Sequence, residues 1–186
     1  MTELRVAVVG MGVGRSHLQS WRDVDGATPT VFAELDDAKR ATGEVDWGIP
    51  GVASLDALLD PDSPHGVDVI DLCTPPSMHE EQVVRCLEAG FHVVCEKPLV
   101  DSVEACDRIE AAVDRAAATS RAAFMPIFQY RFGDGAMRAR ALIEAGITGR
   151  LFNASASTWW RRGRGYYEDA AWRGTWAGER GGCVLS

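Results

Sequence analysis

The chain has 186 residues, 46% of them hydrophobic and 25% charged, with 27 acids against 19 lysines and arginines for a net charge of −8. That length suffices for one full domain and part of another, and the acidic balance argues against nucleic acid as the main partner. No apolar run is long enough to cross a bilayer and no basic-then-apolar leader opens the chain, so a soluble, cytoplasmic protein without a membrane partner is expected.

Leu4–Val9, short, apolar and rich in β-branched residues, predicts the first strand. It runs into Gly10-Met11-Gly12-Val13-Gly14-Arg15, and a helix is expected from about Gly14 to Trp21. A strand that enters a glycine-rich turn and then a helix turns backbone N–H groups and the positive helix end toward a pyrophosphate, which makes Gly10 to Gly14 a candidate dinucleotide cradle. The third glycine lies one place earlier than in G-x-G-x-x-G, where Arg15 stands. A second strand, Thr30 to Ala33, ends in Glu34, twenty-four positions after Gly10 (34 − 10), near the spacing at which an acid meets a ribose hydroxyl. A carboxylate there would repel a 2′-phosphate and favours NAD over NADP; Arg15, just after the glycines, keeps NADP open.

A helix is expected from Asp36 to near Gly43, a short strand at Gly51–Ala53, and a helix over Ser54–Leu59 with Ser54 as its N-cap. Val67–Cys73 predicts the fourth strand. Thr74-Pro75-Pro76 then leads to a helix opened by Ser77 and Glu80 as a capping box and closed by Gly90. Phe91–Cys95 is the fifth predicted strand, Ser102–Ala118 the next helix and Ala122–Phe128 the sixth strand. Strands that alternate with helices and are apolar almost throughout predict a doubly wound parallel α/β sheet covered on both faces. After a helix over Ala136–Ala145, stopped by Gly146, the segment Leu151–Trp159 alternates in polarity as in a sheet with one covered face. The first domain is therefore drawn over residues 1–130, and residues 131–186 begin a second α/β domain whose own sheet starts after Gly149.

Charged residues at the tip of a buried strand are costly to desolvate, so Glu96-Lys97-Pro98, directly after the fifth strand, is a candidate for chemistry. Only two lysines, Lys39 and Lys97, occur among the 19 basic residues, which sets Lys97 apart from compositional background; the plainer reading is a solvated strand end. The five cysteines (73, 86, 95, 106 and 183) are scattered without a C-x-x-C pair and read as buried thiols in a reducing compartment, with no metal expected. Residues 150–186 carry six arginines against three acids together with Trp159, Trp160, Trp172, Trp176, Tyr166 and Tyr167. Aromatic faces with arginine forks suit sugar rings, carboxylates and phosphates, and equally a subunit interface.

Gly10-x-Gly12 with His17, Cys73-Thr74-Pro75-Pro76-Ser77-Met78-His79, Glu96-Lys97-Pro98, Gln129-Tyr130-Arg131-Phe132 and Gly146-Ile147-Thr148-Gly149-Arg150 follow in an order and spacing that resemble the glucose–fructose oxidoreductase, inositol dehydrogenase and rhizopine-catabolism (Gfo/Idh/MocA) family. The resemblance implies a nicotinamide-binding Rossmann domain followed by an α/β domain with a large, mostly antiparallel sheet. It also implies hydride transfer to or from a hydroxyl or carbonyl of a sugar, cyclitol or related polyol. Independently of the resemblance, a sheet begun at Leu151 with Trp159, Trp160, Trp172 and Trp176 beside it presents unpaired edges and aromatic surface, so a homo-oligomer through the C-terminal sheet is expected. Carried over onto this sequence, Gly10, Gly12, Val13, Gly14 and Arg15 lie along the pyrophosphate and Glu34 on the adenosine ribose. Thr74, Pro75, His79, Glu96 and Lys97 line the cofactor, with Lys97 next to the reacting carbon as the catalytic residue. Arg131, Trp160 and Arg161 are assigned to the substrate, and His17 is left to packing. Lys97–Pro98 resembles a peptide that is often cis in the family. The family's further catalytic aspartate and histidine follow a glycine-rich turn that Gly181-Gly182 reproduces, and the sequence ends at Ser186 before either, as in a C-terminally truncated member. Two functions stand: a dehydrogenase by family, or a non-catalytic dinucleotide-binding module or inactive fragment of one.

Overall fold

The computed structural model describes residues 3–157 and 159–179. Its centre is a six-stranded parallel sheet. The strands are β1 (Leu4–Val9), β2 (Ala27–Ala33), β3 (Gly51–Val52), β4 (Val69–Leu72), β5 (His92–Cys95) and β6 (Phe124–Pro126), in the order β3-β2-β1-β4-β5-β6. Between and after them run α1 (Gly14–Trp21), α2 (Asp37–Trp47), α3 (Asp56–Leu59), α4 (Pro76–Glu88), α5 (Val103–Thr119), a 3₁₀ turn (Gln129–Phe132), α6 (Asp134–Glu144), α7 (Arg164–Glu168) and α8 (Trp176–Glu179). Alternate residues of β1 feed two cores, as strand geometry requires. Ala7 and Val9 join Val31, Ile70, Leu72, Val83, Leu87, Val93 and Ile109, while Val6 and Val8 join Leu18, Phe32 and Cys73 on the other face. Burial on both faces is why the strands read as unbroken apolar runs. No helix among the described residues is long and apolar enough to cross a membrane.

Several boundaries differ from the sequence expectation, each for a local reason. β2 starts three residues early, at Ala27, and its register with β1 slips after Val6↔Pro29, where proline has no N–H for the ladder. α2 runs past Gly43 to Trp47 and stops at Gly48, which takes the left-handed φ of +66°. Gly43 is a packing residue, since a Cβ there would come within 2.7 Å of the Phe32 ring. Ser54 does not cap α3, whose N-cap is Leu55 with no side-chain hydrogen bond. The Ser77/Glu80 capping box does not form either. α4 begins at Pro76, preorganised for a first helical position that needs no N–H partner, and Glu80 pairs instead with Arg108 of α5. Ser102 does cap α5, accepting from Ala105 N at 3.2 Å, and Gly90 closes α4 at φ +89°. Cys106 is exposed on α5, against the expectation of uniformly buried thiols.

The largest departure is Leu151–Trp159. Its described residues form no strand, because an alternating pattern becomes a strand only where a neighbour completes the ladder, and no second, antiparallel sheet exists among the described residues. The tail instead packs back on the helices of the sheet through α8, which lies against α4. The glycine turn at Gly181-Gly182 and Cys183 lie outside the described residues.

Candidate cofactor site

The helices after β1 and β4, the two central strands, cover opposite faces of the sheet, so a crevice opens at their C-terminal ends, the usual ligand position in a doubly wound sheet. Three glycines build one wall with three different duties. Gly10 adopts φ +92°, and a Cβ there would lie 2.9 Å from the Cys73 carbonyl oxygen, so the β1–α1 turn can press against the exit of β4 only without a side chain. Gly12 is exposed and a Cβ there would meet nothing within 4 Å, which leaves room for a group to approach the backbone. Gly14 is buried; its Cβ would stand 2.9 Å from Val8 Cγ1 and 3.3 Å from Cys73 Cβ, so it lets α1 sit down on β1. These duties correspond to the three glycines of a dinucleotide fingerprint although the third is one place early. Val13, the N-cap of α1, makes no side-chain cap bond and no acid stands in the first turn, so the positive helix end is not neutralised by the chain. Val13 and Arg15 are both exposed beside it.

The contrast between the glycines is testable. Gly14→Ala should lower stability by about 1–3 kcal/mol through overpacking, read as a lower urea midpoint, whereas Gly12→Ala should stay within about 0.5 kcal/mol of the parent as an open surface position. Equal midpoints for the two variants would refute this division of labour.

Glu34 stands at the end of β2, half-buried, with one carboxylate oxygen accepting from Met11 N at 3.2 Å and the other from Asp36 N at 3.0 Å. It therefore faces the glycine turn, as a ribose-binding acid must. Across the crevice, the Thr74 hydroxyl donates to Gln82, and the Thr74 carbonyl accepts from His79 at 2.8 Å. His79 has no exposed surface, and its other ring nitrogen lies 2.9 Å from the Pro98 carbonyl. It ties the exits of β4 and β5 together; burial lowers its pKa, opposed by the two carbonyl bonds. Pro75 precedes α4 in an extended conformation and is half-buried.

At the exit of β5, Glu96 is buried, Lys97 is half-buried and the Lys97–Pro98 peptide is cis. Glu96 accepts from the backbone N–H of Lys97 at 2.9 Å through one oxygen and faces His17 Nε2 at 3.2 Å through the other. His17 Nδ1 lies 2.9 Å from Asp71, which is fully buried in β4 and also accepts from Trp21 Nε1 at 2.7 Å. Burial pulls the His17 pKa down, but the bonds and charges of Asp71 and Glu96 outweigh it and raise the group to about 9. Burial likewise works against ionisation of Glu96, yet the His17 bond, followed by His17 and Lys97 charge, holds its carboxyl below the usual range. The Cys73 and Cys95 thiols are pushed well up, chiefly by burial and then by these carboxylates, so they stay protonated. Cys73 Sγ lies 3.3 Å from His17 Nδ1 and within reach of Asp71, and the three ligating groups share a space of 4.8 Å in which each is already hydrogen-bonded.

Sequence reading left His17 to packing and passed over Asp71, Trp21 and Gln82. The available signal was Asp71 itself, an acid in the middle of an otherwise apolar strand, which demands a partner. The three residues assigned to substrate lie in the tail region. Arg131, in the 3₁₀ turn, sits 5.6 Å over the Phe128 ring. Trp160 meets Tyr130 at 5.5 Å between ring centroids and carries Arg162 at 5.1 Å, and Arg161 shares an open depression with Trp159, Trp160 and Arg162. The Tyr130–Trp160 contact thus brings together the two stretches that hold the assigned residues.

Glycine turn, acidic β2 end and strand-exit lysine define a Rossmann-type dinucleotide domain, and comparison with known proteins agrees. Residues 4–124 match the oxidoreductase family with an NAD-binding Rossmann fold, GFO_IDH_MocA, and the chain belongs to that family. It is 36% identical over 155 residues to inositol 2-dehydrogenase 2 of Mycolicibacterium vanbaalenii, an alignment covering 81% of this chain and 43% of that protein. Among solved structures, the WlbA dehydrogenase of Chromobacterium violaceum, in complex with NADH and UDP-GlcNAcA, superposes with a TM-score of 0.85 at 28% identity over 96% of this chain and 50% of its own. Scyllo-inositol dehydrogenase of Lactobacillus casei, solved with NAD(H) and scyllo-inositol, shares the fold with a TM-score of 0.72 at 22% identity, over 80% of this chain and 43% of its own. The chain therefore spans about half the length of the relatives it matches.

Proposed function

We propose that this chain is the cofactor-binding part of an NAD(H)-dependent dehydrogenase that oxidises a hydroxyl, or reduces the corresponding carbonyl, on a sugar, cyclitol or related polyol. The observation that carries the proposal is the pairing of an open glycine cradle at Gly12 with a carboxylate, Glu34, facing it from the next strand. When bound, the nicotinamide supplies the hydride acceptor or donor. Everything else falls to the chain. The Gly10–Gly14 backbone and the uncapped end of α1 hold the pyrophosphate, with Val13 and Arg15 beside it, and Glu34 receives the adenosine ribose hydroxyls. Thr74, Pro75 and Glu96 line the far wall, and His79 holds that wall in shape. Lys97 sits beside the substrate hydroxyl, orients it and exchanges its proton as hydride moves. Arg131, Trp160 and Arg161 take the polyol or a charged group attached to it, a role supported by the inositol dehydrogenases and the sugar-nucleotide dehydrogenase among the relatives.

The domain division at residue 130 and assembly into a homo-oligomer belong to the same proposal. Phe152, Trp159 and Trp176 are each more than 85% exposed, more aromatic surface than an isolated chain keeps in water without a partner.

Replacing Glu34 tests the cofactor assignment directly. Glu34→Ala should weaken NAD(H) binding by about tenfold, the effect of a lost charge-assisted hydrogen-bond partner, while NADP(H) affinity stays equal or improves because the carboxylate no longer repels a 2′-phosphate. Calorimetry on the folded chain reads both. Unchanged NAD(H) affinity in this variant would remove Glu34 from the site, and no dinucleotide binding by the parent would remove the proposal.

A further inference from the structure

We infer that His17 is a positioning residue for Lys97. It is a charged bridge from the helix that follows the glycine cradle, through Glu96, to the turn that presents the lysine. The inference rests on the proposed role of Lys97 beside the substrate. Its geometry stands independently. Both ring nitrogens of His17 face carboxylate oxygens, Nδ1 with Asp71 at 2.9 Å and Nε2 with Glu96 at 3.2 Å. A neutral imidazole can donate from only one nitrogen, so with both carboxylates ionised the two contacts are satisfied together only by the imidazolium. Glu96 then divides its two oxygens, one on His17 and one on the backbone N–H of Lys97 at 2.9 Å. Since the Lys97 peptide hangs from the carboxylate that His17 holds, the placement of the lysine depends on a residue eighty positions earlier in the chain (97 − 17).

The charges around the bridge can all be named. From β4 and its exit come Asp71 and the Cys73 thiol; from β5 and its exit, the Cys95 thiol, Glu96 and Lys97; from α4, His79, whose charge couples to Glu96; and from α1 itself, the uncharged Trp21 N–H on Asp71. Asp71 and Glu96 bring two negative charges, and His17 and Lys97 balance them when both are protonated. A fixed cation at His17 offsets the field that Glu96 exerts on Lys97. Without it, Glu96 acts on Lys97 alone and favours the ammonium; without the Glu96 charge, the ammonium loses its counterion.

Lys97 is one of only two lysines, so its titration can be followed in the intact 186-residue chain by carbon-13 NMR of labelled lysine, with Lys39 as internal control. His17→Gln should raise the Lys97 midpoint by about half a unit or more, and Glu96→Gln should lower it by a similar amount, the size expected for a single partly screened charge nearby. Lys39 should not move in either. Opposite signs are the signature of an electrostatic bridge, because loosened packing would move both variants the same way or neither. Should His17→Gln fail to fold, Glu96→Gln remains decisive, since both the Lys97 midpoint and the His17 ring midpoint must then fall. A Lys97 midpoint unmoved in a folded Glu96→Gln or His17→Gln chain, or shifted in the same direction by both, overturns the inference. None of these outcomes bears on whether Lys97 serves catalysis, which fails separately if its own removal leaves turnover intact.

Discussion

Lys97→Ala should cut turnover by about two to four orders of magnitude in a form of the protein that turns over substrate, the range for a lost acid/base group, while the dissociation constant for NADH changes less than about threefold. The expectation follows from position. Lys97 is half-buried at the exit of β5, and the strand ladder is continued beside it by Glu96 N to Leu72 O at 2.9 Å and Ile127 N to Cys95 O at 2.8 Å. Its backbone N–H is fixed by Glu96. A half-buried side chain leaving so constrained a backbone has a fixed point of departure, as the proposed role requires. Because binding of the dinucleotide is assigned to the glycine cradle and Glu34, removing the lysine separates the chemical step from affinity. Lys97→Arg should fall nearly as far, since guanidinium keeps the charge but does not give up its proton near neutral pH. Steady-state kinetics over a polyol panel with NAD(H) titrations measures both quantities. Near-normal turnover in the alanine variant would make Lys97 a structural strand end, and the chain a binding module.

The parallel sheet was legible because two-faced burial leaves its mark on sequence. β1 matches expectation to the residue, and β4 and β5 differ from it only by frayed ends, since most of their positions are buried against one face or the other, the exposed Leu4 and Arg5 and the half-buried His92 excepted. Glycines punctuate for different reasons that sequence does not distinguish. Gly90 and Gly146 stop helices with positive φ, whereas Gly43 sits inside one to spare the Phe32 ring. Ser54 and Ser77 each announce a competent cap without revealing where the helix starts, which is later than expected in α3, at Asp56 with Leu55 as N-cap, and earlier in α4, at Pro76. The alternating stretch from Leu151 carries the polarity of a strand, but a ladder needs a neighbour, and composition alone cannot supply it.

The site was legible to the depth of its motifs and no further. Gly10, Gly12, Glu34 and Lys97 stand out in the sequence as candidates because each lies at the junction of a strand and a turn. The network beneath them could not, because it joins residues from α1, β4 and β5 that are separated by 54 and 79 positions and only parallel packing makes them neighbours. His79 shows the same limit. A histidine in the first turn of a helix reads as solvated or cofactor-facing, yet it is enclosed by two carbonyls from separate loops.

Removing the hub of that network should have the largest effect on stability. His17→Leu keeps approximate volume but leaves Asp71, with no exposed surface, and Glu96, about 8% exposed, without their shared cation. Breaking a buried charge cluster by deleting one partner costs on the order of 3–5 kcal/mol, so the variant should be only marginally folded near pH 7. The pH dependence identifies the cause. His17 is raised from 6.5 to about 9 in the folded chain, so its contribution is fully present below about pH 6.5 and disappears as pH rises through 9. The parent should therefore lose stability across that interval, by up to about 3 kcal/mol from this group, and the His17→Leu chain should lack this loss. Toward pH 5 the deficit of the variant should shrink, because an unpaired buried carboxylate binds a proton more readily folded than unfolded, so acid relieves the fault that the substitution creates. Urea denaturation of both chains between pH 5 and 9.5 measures the whole pattern. A deficit below about 1 kcal/mol at pH 7, or parallel curves for the two chains across the alkaline limb, would mean that the carboxylates find their compensation elsewhere and that His17 is a packing residue after all.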